Sequence, residues 1–295
     1  MIPLRDLNPT RERAYLTLAL IVINAAVFLV QVFRPGIEQE LDFFRFGVIP
    51  RCFLAQGNPE KHKEALLDAL RRPALQRALE RRLRNLEARG IRSLPSSVYR
   101  ALEQEAEAEA EAKARELLPQ VGRRHEWLTL FSSMFMHGGW LHIIGNMWFL
   151  WIFGNNIEDV CGRIRFIPFY LLCGVIAGFA HIVTGPNSVV PTIGASGAIS
   201  GVLGAYILLF PHAQIDSLIP IGYFFFRRDV PAWVFLGVWI LLQLLNGIPA
   251  LHNPAAAGVA WFAHIGGFIA GIGLIYLFMR RRAVPPSGIE LDLDA

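Results

Sequence analysis

Apolar residues along the chain gather into runs long enough to cross a bilayer, separated by one long polar stretch and several short basic ones. The first run, Ala14 to Phe33, has about the 20 residues that roughly 30 Å of hydrocarbon requires. Five more follow: Trp140 to Phe153 (with a helix extending to Ile157), Phe166 to Val183, Ala195 to Phe210, Pro231 to Pro249, and Ala257 to Met279. The run Ile215 to Phe226, about a dozen residues, is too short to span and fits an interfacial or re-entrant piece. Residues 51–126 read differently, with charges of both signs and the low-complexity run EAEAEAEA. Leu75, Leu79, Leu83 and Leu86 recur there at helical spacing, and Pro73, Gly90 and Pro95 punctuate. The segment predicts two or three charged helices, a hairpin among the arrangements open to them, serving as a solvated accessory element.

Lys and Arg near the span ends give the orientation. Arg5, Arg11 and Arg13 put the N-terminus inside, and Arg280, Arg281 and Arg282 put the C-terminus inside, so the spans are even in number. With six, Arg163 and Arg165 and the pair Arg227 and Arg228 also fall on the inner side. The loops Gly185 to Pro191 and Ala250 to Asn253 carry no Lys or Arg, as outer loops should. The insertion at 51–126 lies outside despite its basic residues, because long segments translocate largely regardless of charge. The expected layout is an N-terminal cytoplasmic segment (1–13), a first transmembrane helix with the start of an outer loop (14–50), the insertion (51–126), a core of five helices (127–279) and a cytoplasmic tail (280–295).

Composition supports lipid as the solvent. Charged residues make up 18% of the 295, against about a quarter in soluble domains. No extended basic face interleaved with aromatics suggests nucleic acid. Cys52, Cys161 and Cys173 form no metal spacing and no even disulfide set. There is no H-E-x-x-H pair, so no metal or cofactor is expected. Arg-rich flanks and the lack of a small-residue cleavage site make the first run a retained span rather than a signal peptide.

On this topology the polar side chains meet at one depth. His142 and Asn146 share a face of the second span near its outer end, and His264 lies about two turns in from the outer end of the sixth. Ser196 begins the fourth. Pro211 ends that helix about 22 Å later at 1.5 Å per residue, which leaves Ser196 several Å below the outer surface. Gln243 in the fifth span and His181 in the third are left over, each read as a packing or interface hydrogen bond. Gly194 and Gly197 clear space around the Ser196 hydroxyl, while Gly201 and Gly204 provide a close-packing face. A Ser hydroxyl activated by neutral His264 suits acyl transfer. The Ser196 N–H at a helix start, the Asn146 amide and a His142 N–H can hold the oxyanion. No Asp or Glu shares this depth, which implies a Ser-His dyad.

These motifs resemble the rhomboid family of intramembrane serine proteases over about four-fifths of the chain. HGGWLHIIGN at 137–146 looks like the family's second-span motif, GASG at 194–197 like its nucleophile motif, and AHIGGFIAG at 263–271 like its base motif. FGNNIEDVCGRIRFIPFY at 153–170 is similar to the inner turn of bacterial members. The resemblance implies an all-α bundle of six transmembrane helices with both termini cytoplasmic. It implies Ser196 as nucleophile, His264 as base, His142 and Asn146 as oxyanion donors, Gly267 and Gly271 as a packing face against the fourth span, and His137 as a structural residue of the outer loop. Entry of a client by lateral movement of the fifth span is also implied. The expected setting is a prokaryotic plasma (inner) membrane, with the site opening outward. The expected partners are the lipid bilayer and transmembrane protein substrates, single-span ones included. Two positions depart from the family pattern. Ser200 stands where an aromatic ring usually stacks on the base, so either another side chain positions His264 or its alignment is looser. Trp127-Leu128 replaces a Trp-Arg pair. The alternative reading is a catalytically silent relative that binds membrane clients.

Overall fold

The computed structural model describes residues 1–91, 93–252 and 259–280; Arg281, Arg282 and much of the predicted last outer loop and tail lie outside the described residues. The chain is mostly helical. In order it forms β1 (Ile2–Asp6), α1 (Tyr15–Val32), α2 (Gly36–Phe46), α3 (Pro50–Ala55), α4 (Pro59–Ala88), α5 (Ser96–Val121), α6 (Glu126–Ser132), α7 (Trp140–Cys161), α8 (Arg163–Thr184), α9 (Ser196–Leu209), β2 (Gln214–Ile221), β3 (Phe224–Pro231), α10 (Ala232–His252) and α11 (Trp261–Phe278). Among these, α1, α8, α10 and α11 are long and apolar enough to cross a membrane, and α9 is a shorter apolar helix of 14 residues.

α9 is the axis of the bundle. Eleven of its 14 residues are buried, and α7, α8 and α11 pack around it. The closest packing is against α11. A side chain at Gly267 would strike the carbonyl of Gly197, and one at Gly271 would strike that of Gly201. Backbones this close gain dispersion contacts that bulkier residues would forbid. Gly204 sits equally close to the backbone of Phe268, which extends the seam over two turns of helix. Gly197 also faces α8, where a Cβ would come within 2.7 Å of Ala177. Its missing side chain therefore serves helix packing against α8 as well.

α1 is fixed at both ends by side chains from elsewhere. Ala14 provides no cap of its own. Instead the Glu158 carboxylate, from the C-terminal end of α7, accepts the N–H groups of Leu16 and Thr17 at 3.0 and 2.7 Å. This satisfies two orphan donors and places negative charge at the positive end of the helix. Asp159 takes the N–H groups of Arg11 and Glu12 in the same way. At the other end, the Gln31 amide bonds both the N–H and the carbonyl of His137, fixing the loop that leads into α7.

The segment expected to be interfacial or re-entrant, Ile215 to Phe226, folds as strands. It forms most of a β-hairpin, β2 and β3, turned by Gly222 at φ +60 and Tyr223, with Ile221 opposite Phe224. Glycine first in a two-residue turn matches the twist of the flanking strands. β1 adds to β2 antiparallel, giving the sheet order β1-β2-β3. Trp148 donates its indole N–H to Pro3 at 2.6 Å, and Asp6 bonds Asn156 and Tyr206, so the sheet lies against α7. Burial pushes the Asp6 carboxyl up to about 6, against hydrogen bonds from Tyr206 and Asn156 that pull it down.

In the inserted segment α4 and α5 pack together. Gly90 at φ +80 and Pro95 separate them, but Pro73 lies inside α4 and does not punctuate it. The seam is built of alanine more than leucine: Ala74 and Ala78 on α4, and Ala106, Ala110 and Ala114 on α5, are buried. Every second alanine of the EAEAEAEA run falls on one helical face, at the i, i+4 spacing that a seam requires. The hairpin docks through His62, whose Nε2 lies 2.7 Å from Glu126. Glu126 also takes two hydrogen bonds from the buried Arg124 guanidinium, at 2.8 and 2.9 Å. Burial alone would raise the Glu126 carboxyl, but Arg124 and His62 together hold it below the usual carboxylate range.

Gly271→Leu should therefore lower the thermal unfolding midpoint in detergent or abolish folding, since overpacking costs about 1–3 kcal/mol even where neighbours can yield. Gly273→Leu, two residues along and facing open space, should leave the midpoint unchanged. Equal midpoints for the two variants would rule out the α9–α11 seam.

Candidate active site

The close seam between α9 and α11 sets the height of one helix against the other. His264 lies one turn before Phe268 on α11 and faces the first residue of α9. Its Nε2 is 2.8 Å from the Ser196 hydroxyl oxygen. Ser196 opens α9 directly after Ala195, so its N–H is among those without an intrahelical acceptor. The chain reaches Ala195 through Gly194, whose φ of +122 strains any residue with a side chain. The Gly194 N–H is held by the Ser133 carbonyl at 2.8 Å.

Space matters at Gly194 as much as conformation. A Cβ there would lie 2.7 Å from His142 Nε2 and 3.7 Å from Asn146 Nδ2. The two side chains of α7 thus converge on the spot that Gly194 leaves open, beside Ser196. His142 Nδ1 accepts the Gly138 N–H at 3.3 Å, which leaves Nε2 to carry the proton in the neutral ring. The Asn146 amide nitrogen is buried with no hydrogen-bond partner among the described residues. A buried donor left unpaired costs free energy unless something else occupies it, and this one borders a cavity of about 1060 Å³ lined also by Gly138, Ser196, Trp239 and His264. His137 stands behind, fully buried, its ring edge-on to His142 at 5.1 Å.

The expectation for position 200 is resolved by α10. Ser200 turns its hydroxyl back to the Ser196 carbonyl at 2.7 Å and offers His264 nothing. The rings beside His264 are Trp239, tilted 36° at 6.1 Å, and Trp261, nearly perpendicular at 6.3 Å. Gln243, set aside in the sequence as a packing hydrogen bond, places its Oε1 2.8 Å from His264 Nδ1. Its i, i+4 spacing from Trp239 was the available signal, but nothing in the sequence tied that face of α10 to His264. The other leftover, His181 of α8, lines the same cavity. Trp127 packs on Phe53 and Phe179, and the buried guanidinium of this loop is Arg124 rather than one beside the tryptophan. No group of three metal-ligating side chains occurs among the described residues.

The Rhomboid domain family model matches residues 124–281. Among curated relatives, YdcA of Bacillus subtilis, named as a candidate rhomboid protease, is 33% identical over 159 residues, covering 53% of this chain and 70% of its own. RHOMBOID-like protein 5 of Arabidopsis thaliana is 29% identical over 153 residues, 52% of this chain and 44% of its own. The mitochondrial Rhomboid protein 1 of Saccharomyces cerevisiae is 30% identical over 155 residues, 49% of this chain and 40% of its own. The matched part of the chain thus spans less than half the length of the last two.

Gly194→Ala should displace His142 while leaving the helices intact. The expected result is a fall of about 10²-fold in Ser196 labelling by a fluorophosphonate, the scale set by loss of one oxyanion donor, at an unchanged thermal midpoint. Labelling at the original rate would show that the open space at Gly194 is not part of the site.

Proposed function

The chain belongs to the rhomboid family, and on that premise we propose that it is an intramembrane serine protease with Ser196 as nucleophile and His264 as base. The observation that carries this reading is the 2.8 Å contact between His264 Nε2 and the Ser196 hydroxyl, beside a buried and unpaired Asn146 amide. In the proposed topology α1, α7, α8, α9, α10 and α11 are the six spans. Both termini and the β-sheet are cytoplasmic, the 51–126 insertion is outside, and the membrane is the plasma membrane of a prokaryote. The basic clusters at Arg163 and Arg165 and at Arg227 and Arg228 support that orientation.

In the reaction the Ser196 hydroxyl gives its proton to His264 Nε2 as Oγ attacks the scissile carbonyl carbon. The oxygen of the tetrahedral intermediate takes up negative charge and accepts from the Ser196 N–H, the Asn146 amide and His142 Nε2–H. Donors fixed in advance cost no reorganisation when the charge appears. Collapse breaks the C–N bond, and the departing amine takes the proton from His264. Water, deprotonated by the same imidazole, then releases the acyl group and restores Ser196. The substrate is a peptide bond in or near a client's transmembrane segment. A helix hides its carbonyls in its own hydrogen bonds, so a client with small or helix-breaking residues at the cleavage site unwinds most readily.

The test is cleavage of a single-span client by the purified protein in liposomes. Ser196→Ala should reduce cleavage to background, and activity that persists in this variant would refute the nucleophile. Asn146→Ala should cost about 10²–10³ in kcat, and an unchanged kcat would remove Asn146 from the oxyanion site. Chelator should have no effect on rate, and activity lost on chelation and recovered with metal would overturn the serine mechanism.

A further inference from the structure

A neutral imidazole can act as base toward Ser196 only in the tautomer that leaves Nε2 unprotonated. In the proposed dyad no carboxylate selects that form, and no Asp or Glu lines the cavity among the described residues. We infer that Gln243 of α10 is the positioning residue of the site, holding His264 in the Nδ1–H tautomer with Nε2 facing Ser196; this rests on the protease reading above.

The hydrogen bonds fix the assignment from both sides. Gln243 Oε1 can only accept, so at 2.8 Å from Nδ1 it requires the proton on that nitrogen. Nε2 is then the lone-pair nitrogen, 2.8 Å from the hydroxyl it is to deprotonate. The amide itself is held, because Gln243 Nε2 donates to the Trp239 carbonyl one turn earlier at 3.3 Å. A flipped amide would lose that bond, present N–H to Nδ1 and select the unproductive tautomer. Gln243 is 7% exposed, so water does not compete freely for these bonds. Trp239, on the same face of α10, supplies the ring beside the imidazole, so one helix face sets both the plane and the tautomer of the base.

A neutral amide performs this task without the cost of an ionised carboxylate at membrane depth. It also ties the base to α10, which is exposed elsewhere on its surface at Leu241, Leu244, Leu245 and Ile248. Alignment of His264 therefore depends on α10 being seated against α11. The other titratable groups facing the cavity are His142 on α7 and His181 on α8, neither of which bonds His264 Nδ1.

The experiment compares Gln243→Met and Gln243→Glu with the unaltered protein in liposomes, on the same single-span client, reading kcat, KM and the pH–rate profile. Gln243→Met keeps volume but loses the acceptor. Its kcat should fall about 10- to 100-fold, part of the 10²–10⁴ that a positioned base contributes, with KM unchanged. Gln243→Glu restores an acceptor, so it should recover most of that loss and move the acidic limb of the profile to higher pH, because a carboxylate favours imidazolium. A residue that merely packed would tolerate Met better than Glu and shift no limb, and that outcome would overturn the inference. Independently of any variant's folding, ¹⁵N NMR of the unaltered protein should show His264 protonated at Nδ1, and a proton on Nε2 would overturn it too. Ser196→Ala run alongside separates the two claims: an active Ser196→Ala refutes the protease reading, whereas a silent one beside a fully active Gln243→Met refutes only the role of Gln243.

Discussion

The site depends on how closely α9 and α11 approach. With Gly267 against the Gly197 carbonyl and Gly271 against that of Gly201, the two helices have one allowed height relative to each other. A slip of one turn, about 5.4 Å along the axis, would carry the His264 ring out of hydrogen-bond reach of Ser196. Close packing without side chains is also stiff, because no rotamer can relax to absorb a shift. The glycine seam is thus what holds the His264 imidazole 2.8 Å from the Ser196 hydroxyl, the pair proposed as base and nucleophile.

The other parts of the site hang on this axis by separate means. α7 contributes His142 and Asn146, and its own position is fixed by Glu158 and Asp159 at the start of α1 and by the sheet at Trp148 and Asn156. α10 contributes Trp239 and Gln243. It exposes a row of large apolar side chains and leans mainly on α11. In the proposed mechanism, donors for the oxyanion come from the firmly packed side, while alignment of the base comes from the lightly packed side. In that mechanism the light packing of α10 makes alignment of His264 sensitive to where α10 sits.

Much of this is legible in the sequence because lipid enforces simple rules. Apolar runs, basic residues at their ends and the short helix before Pro211 bring Ser196, His264, Asn146 and His142 to one level, and all four line one cavity. The short run Ile215 to Phe226 misleads because length alone does not separate a re-entrant piece from a hairpin, and Gly222 with Tyr223 favours the turn. Leu75, Leu79, Leu83 and Leu86 draw attention in the insertion, yet alanines fill its seam, since small side chains let α4 and α5 come closer. Gln243 reads only as a packing or interface hydrogen bond because one amide in an apolar span carries no spacing that names its partner; only the fold brings His264 to it.

The most direct measurement is the mass-spectrometric mapping of a fluorophosphonate adduct on the purified protein in lipid, with His264→Ala alongside. The account predicts one adduct, on Ser196, which His264→Ala loses while remaining folded. An adduct on another residue, or undiminished labelling of Ser196 without His264, would contradict it.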